Sequence, residues 1–143
     1  EFMLEAVQMC GKALIHAADV LKADRAVVLA AVQHRGKALK FSAWSLRADR
    51  DVVLAAVHQD GYALAFASEM LRADKHVVLA AVKQNGGAFE FSSETLKGDK
   101  EVVLTALHQD ADVLVGSAES LKANKEFMLE AVQMCGKALI HAA

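Results

Sequence analysis

The chain has 143 residues, 55% of them apolar but only 6% aromatic, with a formal net charge of −2. That charge argues against a binder of nucleic-acid backbones, and no apolar run approaches the ~18 residues of a membrane span. There is no proline, so no helix is forced to kink.

The opening EFMLEAVQ is acidic and amphipathic and does not read as a signal peptide. Its first eighteen residues recur letter for letter as Glu126 to Ala143, an offset of 125, which is five times twenty-five. Twenty-five is also the spacing at which the rest of the chain repeats. Gapless copies start at residues 1, 26, 51, 76, 101 and 126, the last one truncated. This periodicity predicts an all-α fold in a single repeat array over 1–143, an α-solenoid of five and a half to six 25-residue helix-hairpin repeats. The two cysteines, Cys10 and Cys135, are one column seen twice. No disulfide framework is expected, and a reduced intracellular setting is the default.

Each module predicts two helices of about ten residues. In the second copy, Val27, Val28, Leu29, Ala31 and Val32 sweep roughly 200° of the first helix, which suits a helix sandwiched between neighbours. Asp24 precedes it as an N-cap, and the cap recurs as Asp49, Asp74, Asp99 and Asn124. Gly36 is expected to close it at positive φ. The second helix is predicted from about Lys37 to Leu46, with Ala38, Leu39, Ser42 and Leu46 inward and Phe41 at the edge. A cation then follows in every copy (Lys22, Arg47, Arg72, Lys97, Lys122), where it complements a helix C-terminus.

The pattern VVLAAV, the glycine after it, the AL pair and the closing Leu71-Arg72-Ala73-Asp74-Lys75 run resemble the domain of unknown function 4116 repeats. The resemblance covers the whole chain. It implies tandem helical modules whose recurrent residues are structural, and it carries over no active site. Departures are Ala111 for glycine, Gly116 for the aromatic and Asn124 for aspartate, so the fifth copy is expected to be the loosest.

Two stripes remain outside the predicted core. On the first helix, columns one, five and eight face solvent, as in Asp51, Ala55 and His58, then His76, Ala80 and Lys83. On the second, the candidate partner-binding face is Lys37, Lys40 and Trp44, then Tyr62, Ala65 and Glu69. Trp44 and Tyr62 are the only tryptophan and tyrosine, and such residues on a rigid helix face are good interface anchors.

Six histidines are scattered over several columns with no i, i+4 pair and no CxxC, so no metal or cofactor site is expected. Ser42, Ser92 and Ser117 alternate with Ala17 and Ala67, as packing residues do, and the Gly86-Gly87 pair reads as a turn. Junction charges such as Arg47 and Arg50 around Asp49 predict a ladder of caps paired with cations, and nucleic acid is not an expected partner.

No feature points to an enzyme. The expected role is a non-catalytic helical-repeat scaffold that binds another protein, as a segment of a longer array. The alternative is a self-assembling solenoid stacked head to tail or swapped into an oligomer. Phe2, Met3, Phe127 and Met128 stand where interior copies have Val-Val, and terminal repeats of soluble arrays normally show a polar outer face. Copies one and two agree at nine of these eighteen positions, whereas copies one and six agree at all. Packing alone does not require that identity, which points to an open-ended array.

Overall fold

A computed structural model describes residues 2–134. All regular elements among them are helical. Six long helices recur at the repeat spacing: α1 (Phe2–Met9), α2 (Arg25–His34), α3 (Arg50–Gln59), α4 (Lys75–Gln84), α5 (Lys100–Leu107) and α6 (Lys125–Met134). The interior helices α2 to α5 each pack against their predecessor and successor, and also against the segment that follows and the corresponding segment of the module before.

The valine-alanine arc explains that double contact. Val27, Val28, Ala31 and Val32 are buried in α2, and the matching quartets Val52, Val53, Ala56, Val57 and Val77, Val78, Ala81, Val82 are fully buried in α3 and α4. Small β-branched and methyl side chains let the helices approach on two sides, so the buried residues form one continuous core along the array.

The second half of each module is not the single helix that the periodicity predicts. In the second copy a 3₁₀ helix (Gly36–Phe41) is followed by two extended residues, Ser42 and Ala43, and a four-residue α-helix (Trp44–Arg47) completes the module. The inward residues Ala38, Leu39, Ser42 and Leu46 are buried as expected, with Phe41 half-buried. The break has a use. Ser42 donates both its N–H (3.1 Å) and its hydroxyl (2.8 Å) to the Leu39 carbonyl, and Ala17 and Ala67 end the same segment with the N–H bond alone. The next N–H, that of Ala43, thereby escapes an intrahelical bond and donates to the Lys22 carbonyl of the preceding module at 2.8 Å. The same bond joins Ser68 to Arg47, Ser93 to Arg72 and Ala118 to Lys97.

The recurrent glycine also has a different reason from the one expected. Among the described residues none has positive φ. Gly36, Gly61 and Gly86 open the 3₁₀ helices rather than close the long ones. Their place is set by closeness: a Cβ on Gly36 would lie 2.4 Å from the Ala56 carbonyl oxygen of the next module, and one on Gly61 would lie 2.5 Å from that of Ala81. The Gly36 and Gly61 N–H groups donate to Gln59 and Gln84 of the following module, and Gly86 N–H donates to Gln109 Oε1 at 2.7 Å. The glutamine amide of Gln109 then gives its own N–H to the Lys83 carbonyl at 2.9 Å. One side chain thus joins the C-terminal end of one long helix and the start of the next 3₁₀ segment in the preceding module.

The fifth module departs most. α5 is eight residues long rather than ten, and the 3₁₀ helix is replaced by turns and a short α-helix (Val113–Gly116). Ala111 occupies the column that holds the closely approached Gly36, Gly61 and Gly86 in the preceding modules.

Candidate interaction face

The predicted caps form the first recurrent polar feature. Asp24 accepts the Val27 N–H at 3.1 Å, and Asn124 accepts that of Phe127 at 2.9 Å. Asp49, Asp74 and Asp99 do more. One oxygen of Asp49 accepts the N–H groups of Asp51 and Val52, while the other accepts Arg25 Nε of the preceding module at 2.9 Å. Arg50 reaches Asp74 at 3.2 Å and Lys75 reaches Asp99 at 3.0 Å in the same way. The ladder therefore runs between modules, always from the cation after one cap to the next cap. At Asn124 the carboxylate is missing, and Lys100 pairs with Glu130 at 2.8 Å instead.

These contacts shift the titrations. The Arg25 hydrogen bond, with the Val52 and Asp51 N–H groups, holds the Asp49 carboxyl below its ordinary range. Partial burial pushes Asp74 and Asp99 up, but the backbone N–H donors together with Arg50 or Lys75 outweigh it, and both end below the ordinary value. Lys75 is raised in turn by Glu101 and Asp99. The pairs are half-exposed, so each contributes about 0–1 kcal/mol, and their regularity matters more for register than for strength.

On the long-helix side, Asp51, His58, His76 and Lys83 are exposed as expected, whereas Ala55 and Ala80 are half-buried. The 3₁₀ side carries the candidate partner face. Lys37, Lys40, Trp44, Tyr62 and Glu69 are all exposed, with Ala65 half-buried. The structure joins most of them through their neighbours. Lys37 Nζ stands 5.5 Å from the Tyr62 ring centre and 3.8 Å from Asp60. Tyr62 meets the ring of Phe91 edge-on at 6.1 Å, with its hydroxyl over Gly87, where a Cβ would be 2.5 Å away.

Lys40 lies 5.9 Å from both Phe41 and Phe66, and Arg47 lies 5.9 Å from the Trp44 ring while donating to the Lys40 carbonyl at 2.5 Å. Trp44 remains 64% exposed. Trp44 and Tyr62 make no ring contact with each other. Glu69, at the start of a short helix, borders a hollow with Arg72 and Glu90 rather than touching the aromatic residues.

Lys12, Arg35, Lys37 and Lys40 surround a shallow hollow floored by Ile15, Phe41 and Phe66. Periodicity singled out the lysines but not this hollow, because residues from three modules converge on it. Gly87 was read as half of a turn; it lies inside the 3₁₀ helix Gly86–Phe91 and leaves room for Tyr62. The glutamines at 59, 84 and 109 were also missed, although their recurrence in three successive copies was a visible signal.

Of the residues proposed for end-to-end contact, Phe2 is 79% exposed, and Met3 and Met128 are half-buried. Phe127 is a correction: it is 1% exposed, because α6 is covered by α5 and Phe127 fills the core position that valine fills elsewhere. Cys135 and His141 lie outside the described residues. Cys10 is an exposed free thiol. Among the described residues no three His, Cys, Asp or Glu side chains are placed to hold a metal ion, and no helix is long and apolar enough to cross a membrane.

A helical tandem-repeat protein is the class that these elements define: one module, repeated, bonded laterally by backbone, glutamine and cap ladders. The chain belongs to the family described as Domain of unknown function (DUF4116), which matches residues 1–47, 43–72, 74–115 and 99–143. No curated protein and no solved structure matches it.

Proposed function

We propose that the chain is an α-solenoid that acts as a non-catalytic scaffold, binding another protein along its 3₁₀ face. The observation that carries this reading is the contrast between the two kinds of position. Core, cap and glutamine columns repeat because the lateral bonds need them, whereas Lys37, Lys40, Trp44, Tyr62 and Glu69 differ from copy to copy and stay exposed. A tryptophan left 64% in solvent beside clustered cations costs apolar exposure that the fold does not require. Exposed aromatic and cationic side chains on a rigid support are what protein interfaces use as anchors.

The test compares proteins retained by the immobilised chain with those retained by a Lys37→Ala, Lys40→Ala, Trp44→Ala variant. The variant should keep its circular dichroism and melting temperature while losing a partner. Identical retention by both proteins overturns the reading.

Stacking end to end is supported by a separate observation. Phe2 of α1 is 79% exposed while Val52 and Val77 in the same column are buried, as an uncovered solenoid end would leave it. Phe2→Ser should then lower the mass of any concentrated assembly seen by light scattering.

A further inference from the structure

The 3₁₀ face is electrically and sterically asymmetric along the array. Its N-terminal part gathers Lys12, Arg35, Lys37 and Lys40 around one hollow, and Arg47, which donates to the Lys40 carbonyl, stands 5.9 Å from the ring of the exposed Trp44. Its C-terminal part is acidic and indented. The column that holds Phe41, Phe66 and Phe91 is Gly116 in the fifth module. A Cβ on Gly116 would meet the Phe89 ring at 3.6 Å, an ordinary van der Waals contact, so that ring forms one wall where the aromatic side chain is missing.

A notch of about 390 Å³ lies there, between the fourth and fifth modules. That is near the lower end of the ~300–1,000 Å³ range of ligand clefts. Its floor is Tyr62, Phe89, Val113 and Val115, and Glu90 and Asp110 stand at its rim. Lys97 also lines it but is already paired with Glu94 at 2.9 Å.

We infer that the occupant of this notch is a second copy of the chain, whose Trp44-bearing basic patch seats on the acidic, apolar notch of the first. Three properties of the two surfaces match. The notch is lined by apolar side chains and has no side chain at Gly116, and Trp44 is a large aromatic side chain without a core position. Glu90 and Asp110 make the rim anionic, and Arg47 beside Trp44, with Lys37 and Lys40 on the same face, is cationic. The basic patch centres on the second module and the notch on the fourth and fifth. Two antiparallel copies can therefore make both contacts at once, as a closed two-fold pair does. The contact is lateral, between 3₁₀ faces, and does not use the array ends.

The experiment uses two charge-reversed proteins, Lys37→Glu/Lys40→Glu and Glu90→Lys/Asp110→Lys, with mass measured by light scattering at low and high salt. Circular dichroism of each variant confirms that it is folded. The unaltered chain should form a dimer at low salt that dissociates as salt screens the rim, because the Debye length falls to about 10 Å at 0.1 M and 3 Å at 1 M. Each variant alone should be monomeric, and an equimolar mixture should recover a dimer, since the altered patch of one again matches the altered notch of the other.

A monomeric unaltered chain at low salt overturns the inference, and so does a mixture that stays monomeric. Association that survives in both variants is end contact, which also overturns it. None of these outcomes bears on whether the face retains a different protein, which the triple substitution tests separately.

Discussion

The α-carbon of Gly36 and the carbonyl oxygen of Ala56, one module on, stand so close that a Cβ at residue 36 would lie 2.4 Å from that oxygen. The glycine is a spacing device between modules, and its N–H simultaneously donates to Gln59. Gly36→Ala and Gly61→Ala should therefore force the modules apart, costing about 1–3 kcal/mol by the usual penalty for overpacking. Gly116→Ala is the control, because its Cβ has 3.6 Å to the nearest atom. It should be neutral or slightly stabilising. Urea denaturation of the three variants decides the matter; equal losses at all three would refute the spacing argument.

Gln84 is the acceptor for the Gly61 N–H, which is buried with its residue. Gln84→Ala should leave that donor without a partner and cost about 1–3 kcal/mol. Gln84→Glu keeps an acceptor oxygen and should cost less. Hydrogen exchange gives a local readout: the Gly61 amide should lose protection in the alanine variant while the N–H groups of α2 keep theirs.

The Asp49, Asp74 and Asp99 carboxyls are held below their ordinary range in the folded chain. In the unfolded chain they titrate near 3.9. Between the two values the unfolded state binds more protons, so stability rises with pH across that window. The contribution is fully present at neutral pH and is lost as pH falls below about 4 through the lowered folded values. Asp74→Asn should flatten the acid limb of a stability-against-pH curve relative to the unaltered chain. An unchanged limb would show that the cap carboxylates do not govern it.

Phe2 and Phe127 stand in the same column of identical sequence, yet one is 79% exposed and the other 1%. Phe127→Ala should cost about 3–5 kcal/mol, as for a buried aromatic. Phe2→Ala should stay within about 0.5 kcal/mol, as for surface changes. Thermal melting of both variants tests the difference. Comparable losses would mean that α1 is covered in solution, which is the outcome that end-to-end stacking requires.

Legibility followed the range of the interaction. Long helices, their buried Val-Val-Ala-Val quartets and the five cap residues were readable because a cap acts on an N–H two or three residues away and burial follows helical period. The second half of the module was not. Ala38, Leu39, Ser42 and Leu46 were correctly placed inward, but the chain between them is a 3₁₀ helix, an extended pair and a short α-helix. Inward spacing alone does not distinguish these, and the bond that uses the break, from Ala43 to Lys22, crosses modules. The proposed partner face was legible as five exposed, variable residues, yet not as a surface. The hollow around Phe41 and the notch at Gly116 are assembled from different modules.

By itself the sequence determined the repeat, its 25-residue length, the helical character and the cap ladder, because each arises from residues that act within one module or between equivalent columns. Tertiary structure alone decided why the glycines are glycine, what the glutamines hold, and why Phe127 is core while Phe2 is surface. Those outcomes depend on which neighbour lies alongside each residue. Phe2 and Phe127 carry the same local instructions and differ in whether another module covers them.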